Sequence, residues 1–224
     1  MQVSEIFFSI QGESSRAGLP CVFVRLTGCN LRCQWCDTEY AFYGGERLGV
    51  EQVADRIRQF PARLLEITGG EPMLQEKEVL ALIALLPSEW TVMIETSGER
   101  DLGRLPERVV KIMDVKCPGS GEAGRFHAPN LKTITPRDEI KFVLTGREDY
   151  EYARDFIGRH RLAAITPHIL LSPAFQKTAA GERGSRQCQL DPQNLAEWML
   201  ADGIPARLSL QIHKFIWDPA QRGV

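Results

Sequence analysis

The stretch Cys29-Asn-Leu-Arg-Cys33-Gln-Trp-Cys36 places three cysteines in one short segment with the spacing C-x3-C-x2-C. Thiolates are soft ligands that suit iron–sulfur clusters, zinc or copper(I). A closed zinc site needs four ligands, but the nearest other cysteines are Cys21 and Cys117 and no histidine precedes residue 127. A 4Fe–4S cluster held by three cysteines leaves one iron without a protein ligand. The spacing therefore favours an open iron–sulfur cluster, to which a substrate or cofactor can bind, over structural zinc.

This motif resembles the signature of the radical S-adenosylmethionine (SAM) enzymes. The resemblance implies a 4Fe–4S cluster on Cys29, Cys33 and Cys36, with the amine and carboxylate of SAM on the open iron. One electron from the reduced cluster then cleaves SAM to methionine and a 5′-deoxyadenosyl radical. Trp35 stands where the family places an aromatic residue beside the adenine, so Trp35, Cys36 and Asp37 are expected to contact the cofactor. Taken alone, Trp35 would be interpreted as a core residue.

The composition describes an ordinary globular chain. Its 224 residues predict a single domain spanning 1–224, with 43% apolar and 25% charged residues. The net charge of −2 argues against nucleic acid or an anionic membrane as the main partner. The longest apolar run, 79–86, is shorter than the roughly 18 residues of a membrane span. No signal peptide is visible, and six cysteines in such a chain indicate a reducing, cytoplasmic location.

Strand-like and helix-like segments alternate along the chain, which predicts a parallel sheet with helices outside. The predicted strands are 21–26, 64–68, 91–95, 109–115, 140–144 and 168–171. The predicted helices are 50–60, 75–86, 150–160 and 191–201, with Asp149 and Asp191 as N-caps and Pro192 in the first turn. A last strand is expected at 207–217.

The predicted fold is α/β, a partial, open parallel β/α barrel of about six strands with some helices reduced to loops. A closed barrel of eight strands typically needs about 250 residues. The polar stretches 119–137 and 175–189 lie where a full barrel would have helices. Radical SAM enzymes have this partial barrel. Because active sites of β/α folds lie at the carboxyl ends of the strands, motifs at those ends are expected to converge on the cluster.

The segment Gly69-Gly70-Glu71-Pro72 follows a predicted strand and precedes a helix. Adjacent glycines let the backbone approach a ligand closely, although a double glycine before proline is by itself usually a turn. The segment resembles the GGEP motif of the radical SAM family, which binds the methionyl amino group. All four residues are therefore expected at the cofactor.

Two later strand ends carry further candidates. By resemblance, Gly98 lies against the cofactor and Thr96 faces the substrate; without it, both would be interpreted as a turn. Lys116 is expected to reach the carboxylate or ribose of SAM, and Pro118 to lie beside it. Cys117 is interpreted as a thiol that lines the pocket, since the family's chemistry requires the fourth iron to stay open.

Three further segments narrow the family. The segments Ser9-Ile-Gln-Gly-Glu-Ser14, Asp114-Val-Lys-Cys-Pro-Gly-Ser-Gly121 and Leu210-Gln-Ile-His-Lys-Phe-Ile-Trp217 resemble the 7-carboxy-7-deazaguanine synthase family. The resemblance covers nearly the whole chain. It implies conversion of 6-carboxy-5,6,7,8-tetrahydropterin to 7-carboxy-7-deazaguanine with loss of ammonia, a step towards queuosine.

The N-terminal motif suits a pterin. Its edge offers amide, amine and ring nitrogens, which the side chains of Gln11 and Glu13 and the backbone at Ile10 and Gly12 can pair. Many family members have glycine after the Gln-Gly-Glu triplet, whereas Ser14 stands here. That departure affects the loop that carries Glu13.

Three further residues are candidates for the substrate's carboxylate end. Arg25 offers a planar, permanently charged fork for a carboxylate; alone, it would be interpreted as half of a surface ion pair. By resemblance, Thr38 helps to hold Mg²⁺, a hard cation that prefers oxygen ligands; otherwise it is a cap or turn residue. By resemblance, the carboxylate of Val224 lies against the substrate, whereas chain termini are often frayed.

The expected partners are a small pterin substrate and a flavodoxin- or ferredoxin-type electron donor, with the chain as a homodimer. A glycyl-radical activase would share the cysteine loop and the GGEP motif, but it has no need of a pterin motif. An iron–sulfur electron carrier should hold its cluster with four cysteines and needs no GGEP motif. Both alternatives fit the sequence less well.

Overall fold

The structure, a computed structural model, describes residues 1–176, 188–218 and 221–224. The strands are β1 (Gln2–Ile10), β2 (Pro20–Leu26), β3 (Glu46–Arg47), β4 (Leu64–Gly69), β5 (Thr91–Thr96), β6 (Val110–Asp114), β7 (Glu139–Leu144), β8 (Ile169–Pro173) and β9 (Arg207–Leu208). The helices are α1 (Val50–Arg58), α2 (Glu76–Leu85), α3 (Arg147–Arg159), α4 (Pro192–Asp202) and α5 (His213–Ile216).

The strands of the described residues form one open sheet in the order β3-β1-β2-β4-β5-β6-β7-β8-β9. Strands β2 and β4 to β9 are parallel, whereas β1 runs antiparallel to both β2 and β3. The six predicted strands are β2 and β4 to β8, so the open parallel β/α barrel is confirmed. The sequence reading missed β1 and β3, the antiparallel margin.

The sheet buries a different core on each face, because successive side chains of a strand point to opposite sides. On β5, Val92 and Ile94 join the large apolar core under the helices, while Met93 packs on the inner face. There the rings of Phe7 and Phe23 stack with centroids 4.8 Å apart. The inner apolar layer forms the floor beneath the polar residues of the pocket.

The predicted helices occur, with two differences in detail. Asp191 caps α4 by accepting a hydrogen bond from the Gln193 N–H at 2.9 Å, as predicted. Asp149 is not an N-cap, because α3 begins at Arg147. Its carboxylate instead accepts hydrogen bonds from the backbone N–H groups of Thr145 at 2.8 Å and Gly119 at 2.7 Å.

The stretch 119–137 has only 3-10 turns, Pro118–Ser120 and Ala128–Lys132, as expected for a helix reduced to loops. Of the other such stretch, 175–189, residues 177–187 lie outside the described residues. No helix in the described part of the chain is long and apolar enough to cross a membrane.

The predicted strand 207–217 is wrong beyond its first two residues. Only Arg207–Leu208 pairs with β8, and His213–Ile216 forms a short helix. The alternating pattern misled because its polar members bind loops instead of facing solvent. The backbone N–H of Ile212 donates to the carbonyl of Gly12 at 2.8 Å, which turns this segment across the open side of the barrel.

Candidate functional site

A cavity of about 190 Å³ lies at the carboxyl ends of the parallel strands. Most residues singled out from the sequence line it. They are Ile10, Gln11, Gly12, Glu13, Arg25, Cys29, Cys33, Trp35, Cys36, Asp37, Thr38, Gly69, Gly70, Thr96, Lys116 and Val224. Five others do not line it: Glu71, Pro72, Gly98, Cys117 and Pro118.

The cysteine loop follows β2 and covers one end of the cavity. Cys29, Cys33 and Cys36 are half-buried free thiols. Burial raises the pKa of the Cys33 thiol to about 11, and the positive charge of Lys116 partly opposes this shift. The loop is anchored by the buried Leu31. Three thiols therefore reach one cavity without pairing with each other.

These thiols suit a cluster better than a single ion. Across residues 1–176, 188–218 and 221–224, no three His, Cys, Asp or Glu side chains converge as the ligands of one metal ion. A tetrahedral zinc site requires such convergence. In a cubane, each cysteine binds a different iron, so its ligands stand apart. The donor set therefore fits a 4Fe–4S cluster with one open iron.

Trp35 and Lys116 stand together beside the cysteines. The Lys116 ammonium lies 4.7 Å from the centroid of the Trp35 ring and 2.6 Å from an Asp114 carboxylate oxygen. Burial would lower the pKa of Lys116, but the ion pair with Asp114 and the neighbouring Cys33 raise it above its ordinary value. The buried Trp35 Nε1 and Asp114 Oδ1 have no hydrogen-bond partner among the described residues. Both atoms are available to a ligand.

The double glycine is required by close backbone packing. A Cβ at Gly69, where φ is +152°, would lie 2.3 Å from the Leu26 carbonyl oxygen. A Cβ at Gly70 would lie 2.1 Å from the carbonyl oxygen of Gly28. Side chains at either position would collide with the chain that leads into the cysteine loop. The two glycines thus give a bare backbone edge to the cavity.

Glu71 braces this edge from behind. Its fully buried carboxylate accepts hydrogen bonds from the Met73 N–H at 3.0 Å and the Thr96 hydroxyl at 2.7 Å. It also accepts from the N–H of Ser97 at 2.9 Å and from its hydroxyl at 2.7 Å. The end of β4 is thereby tied to the end of β5. Gly98, at φ +69°, packs under Phe126 and not against the cavity.

The prediction that Cys117 lines the cavity is wrong. The residue is fully buried in the core under the helices and does not line the cavity. Burial raises the pKa of its thiol far above the ordinary value. The strand end turns Lys116 inward, and the next side chain therefore points to the opposite face. The neighbouring Pro118 begins a 3-10 turn outside the lining.

The other end of the cavity is a buried polar network. The Gln11 amide donates to Glu66, and its oxygen accepts from the Glu13 N–H at 2.8 Å. The Glu13 carboxylate accepts from the Gln211 amide at 2.7 Å and from the ammonium of Lys141. The Gln-Gly-Glu motif is thus fixed from several directions.

Lys141 binds two carboxylates here and lies near a third. Lys141 donates to Glu13 and, at 2.7 Å, to Glu95, while Glu66 lies nearby. Burial would raise the pKa of Glu13, but the charges of Lys141 and His213 lower it to about 2. Burial, with the charges of Glu95 and Glu13, raises the pKa of Glu66 well above its ordinary value. The cluster therefore combines a carboxylate whose pKa is lowered, Glu13, with one whose pKa is raised, Glu66.

Arg25 lies between the two uses predicted for it. Its Nε donates to Glu5 at 2.7 Å, and its guanidinium carbon lies 5.8 Å from the Phe7 ring centroid and 5.9 Å from that of Tyr40. Tyr40 also donates to Glu5, at 2.7 Å. The residue is an ion-pair partner that also lines the cavity.

The residues after the last cysteine form a small oxygen-rich group. The Thr38 hydroxyl donates to the Asp37 carboxylate at 2.8 Å, and the ammonium of Lys214 donates to the other oxygen of Asp37. Burial would raise the pKa of Asp37, but the charge of Lys214 lowers it far below its ordinary value. Asp37 therefore stays ionised beside Thr38.

The described C-terminal residues lie at the same rim. Val224 lines the cavity. The Arg222 guanidinium lies 4.0 Å from the ring centroid of Tyr40, and a Cβ at Gly223 would lie 4.0 Å from Phe7. The segment therefore folds back onto β1 and the loop after the cysteines.

The sequence reading missed much of the polar network. The lining residues it did not single out include Glu66, Thr68, Glu95, Asp114, Lys141, Gln211, His213 and Lys214. A signal was present for several. Glu66 and Lys141 are charged residues inside strands that are largely apolar, and a buried charged residue is an informative exception to the usual composition of a core.

Proteins of known function resemble this chain in sequence. The model of the radical SAM superfamily matches residues 23–157. The 7-carboxy-7-deazaguanine synthase of Koribacter versatilis is 52% identical over 226 residues, covering 100% of both chains. The enzyme of the same name from Chlorobaculum tepidum is 40% identical, covering 100% of this chain and 97% of its own.

Solved structures share the fold. QueE from Escherichia coli has a TM-score of 0.65 at 24% identity, covering 93% of this chain and 92% of that one. SuiB of Streptococcus suis, solved with S-adenosylmethionine, has a TM-score of 0.52 at 10% identity and covers 84% of this chain and 51% of its own. At these identities the likeness concerns the fold alone.

Proposed function

Because the chain belongs to the 7-carboxy-7-deazaguanine synthase family of radical SAM enzymes, we propose that its cavity converts 6-carboxy-5,6,7,8-tetrahydropterin to 7-carboxy-7-deazaguanine with loss of ammonia. The enzyme is thus a carbon–nitrogen lyase on the route to queuosine. One observation supports the proposal above others: three free thiols and a buried polar network line the same cavity. A glycyl-radical activase would have no use for that network.

The cluster end binds the cofactors. A 4Fe–4S cluster on Cys29, Cys33 and Cys36, together with SAM, supplies the radical that starts the reaction. The bare backbone at Gly69 and Gly70 accommodates the methionyl group of SAM, since no side chain intervenes there. These residues hold the cofactor and keep water from it.

The side wall of the cofactor site consists of polar and aromatic groups. Trp35 would lie beside the adenine of SAM, with Asp37 at the rim, and Lys116 would donate to its carboxylate or ribose. Glu71 supports this site from behind by accepting hydrogen bonds from Thr96 and Ser97 at the end of β5.

The polar network recognises the pterin. Gln11, Glu13 and the backbone of Ile10 and Gly12 pair with its donor and acceptor edge, and Thr96 faces its ring. An ionised Glu13, maintained by Lys141, suits the amine and amide donors of that edge. Fixed, buried polar groups discriminate strongly between the substrate and its analogues, because an analogue that lacks a hydrogen-bonding group leaves its protein partner unpaired.

The carboxylate of the substrate lies at the rim. The two terminal nitrogens of Arg25 form a fork toward it, since Nε is engaged by Glu5. Thr38 would help to hold Mg²⁺ here, beside the Asp37 carboxylate, which is ionised and paired with Lys214. Val224 closes this end.

Three further features belong to the same proposal. The chain forms one radical SAM domain and works as a homodimer in the cytoplasm. A flavodoxin- or ferredoxin-type protein donates the electron.

The test is anaerobic reconstitution with iron and sulfide, followed by dithionite, SAM, Mg²⁺ and the carboxytetrahydropterin. Chromatography should detect 7-carboxy-7-deazaguanine, and activity should fall after chelation and return with Mg²⁺. Cys33→Ala should lose iron, whereas Cys117→Ala, a buried thiol outside the cavity, should retain it. Intact iron in the Cys33 variant, or absence of product from reconstituted enzyme, refutes the proposal.

A further inference from the structure

The loop between β1 and β2 crosses the interior of the barrel and contacts β7. The β1–β2 connection, residues 11–19, carries the Gln-Gly-Glu motif. In the sheet order, β2 and β7 are separated by β4, β5 and β6. The loop nevertheless contacts β7 directly, so it spans the interior of the barrel.

Glu139 makes the first of these contacts. Its carboxylate is fully buried and accepts hydrogen bonds from the Ser15 N–H at 2.9 Å and the Ser15 hydroxyl at 2.6 Å. It also pairs with the Arg16 guanidinium at 3.3 Å. All these donors come from the loop, and Glu139 does not line the cavity. A buried carboxylate is retained only where such partners compensate its desolvation.

The second contact lies two residues further along the same strand. Lys141, on the same face of β7 as Glu139, binds Glu13. Glu13 and Ser15 of the loop therefore bind Lys141 and Glu139 of the strand, respectively. A loop held at both points cannot shift at Ser15 without moving Glu13.

We propose that Glu139 is a positioning residue for substrate recognition: by fixing Ser15 and Arg16, it sets the place of Gln11 and Glu13 against the substrate. This inference rests on the function proposed above. Glu139 acts through the loop and not on the reacting atoms. Its removal therefore weakens substrate binding while leaving the cluster and SAM sites intact.

The test compares Glu139→Gln, Glu139→Ala and Ser15→Ala in reconstituted enzyme. We expect the KM for the pterin to rise about tenfold in Glu139→Ala, the equivalent of one hydrogen bond to a charged group. Glu139→Gln keeps one acceptor and should lie between wild type and Ala. Iron content and SAM cleavage without substrate should match wild type.

Asp138→Asn is the matched control. Asp138 precedes Glu139 and is equally buried, but its carboxylate binds Lys111 and Thr135 and not the loop. This variant should melt earlier with an unchanged KM. Combining Ser15→Ala with Glu139→Gln should give less than the sum of the single effects, as expected for contacting residues.

Hydrogen exchange separates this inference from the proposed function. Amides 12–17 of the Glu139 variants should exchange faster than in wild type or Asp138→Asn, whatever reaction the enzyme performs. Should Glu139→Ala fail to fold, Ser15→Ala tests the same contact from the loop side. An unchanged KM in Ser15→Ala and Glu139→Gln, or the same KM change in Asp138→Asn, overturns the inference. Wild type without product overturns the proposed function instead.

Discussion

Two buried lysines on neighbouring strands of one sheet have opposite surroundings. Lys111 on β6 is directed to the helix side and pairs with Asp138 at 3.0 Å. Asp138 also accepts from the Lys111 N–H at 2.7 Å, and from the Thr135 N–H at 2.7 Å and hydroxyl at 2.9 Å. One positive and one negative charge are thus matched, and the carboxylate is saturated.

Lys141 on β7 is directed to the inner side and faces Glu13, Glu66 and Glu95. Two of these carboxylates, Glu13 and Glu95, share one ammonium, Glu66 lies nearby, and the group lines the cavity. Burial alone does not distinguish the two lysines. What differs is the balance of charge and the access to a cavity, and surplus charge beside a cavity is typical of functional sites.

The largest effect is expected when each lysine is replaced by methionine. Removing one partner of a buried pair costs about 3 to 5 kcal/mol, so both variants should melt earlier. Lys141→Met also leaves Glu13 and Glu95 to repel each other, and kcat/KM should fall at least about 100-fold, equivalent to about 3 kcal/mol. Lys111→Met should retain the kcat/KM of the folded fraction. A comparable loss of kcat/KM in Lys111→Met would contradict the comparison.

Arg25 combines both situations. Like Lys111 it forms an ion pair, here with Glu5, and like Lys141 it lines the cavity. Arg25→Lys keeps the charge but loses the planar fork. We expect about a tenfold lower kcat/KM, the value of one charge-assisted hydrogen bond, with SAM cleavage in the absence of substrate preserved. Glu5→Gln, which removes only the ion pair, should change kcat/KM less. If Arg25→Lys impairs both reactions equally, Arg25 supports the cluster loop.

Local patterns in the sequence predicted the parallel strands and two motifs of the cavity, the cysteine loop and the double glycine. Cys29, Cys33 and Cys36 lie close together along the chain, and Gly69 and Gly70 are adjacent, so the spacing within each motif carries the information. Lys141 acquires its meaning from Glu13, which lies 128 residues away in sequence. Such a pairing depends on tertiary contacts that no local pattern specifies.

The misread segment at 207–217 teaches the same lesson. Alternation of apolar and polar residues predicts a strand when the polar side chains face water. Here Gln211 and Lys214 bind Glu13 and Asp37 in the cavity. These polar side chains bind two loops instead of facing water, so the segment does not form the predicted strand.

The surplus charge also predicts a dependence of stability on pH. The pKa of Glu66 is raised well above 4.5 in the folded state, so between these values the folded protein binds more protons than the unfolded chain. Stability should then fall as pH rises through that window, by at most about 1.4 kcal/mol per pH unit for one group. Burial also raises the pKa of Glu95, so Glu66→Gln should reduce this decline without removing it. Denaturant unfolding at several pH values above 5 measures it; an identical slope in the variant would show that Glu66 is not its source.

Glu13 should act in the opposite direction. Its pKa is lowered from 4.5 to about 2 in the folded state, so its contribution is present above the unfolded value and is lost as pH falls toward 2. Glu13→Gln should weaken the acid limb, to which Asp37 also contributes. Because the charge of Glu13 helps to raise the pKa of Glu66, the decline at higher pH should become smaller as well. The same unfolding series, extended to low pH, distinguishes it from Glu66→Gln.

The smallest effect is expected at Ser14, in the loop that joins β1 to β2 and carries Glu13 into the cluster of Lys141. Ser14 has φ +46°, in the left-handed region that costs residues other than glycine about 1 to 2 kcal/mol. Its hydroxyl compensates by accepting from the Arg16 N–H at 3.0 Å. Ser14→Ala keeps the strain and loses the hydrogen bond, so we expect a loss of about 1 kcal/mol in unfolding free energy. Ser14→Gly relieves the strain but loses the hydrogen bond and gains chain entropy on unfolding, and these effects nearly cancel. Chemical unfolding should therefore rank wild type and Ser14→Gly together, above Ser14→Ala. If the glycine variant were as unstable as the alanine variant, the backbone at this position would carry no strain.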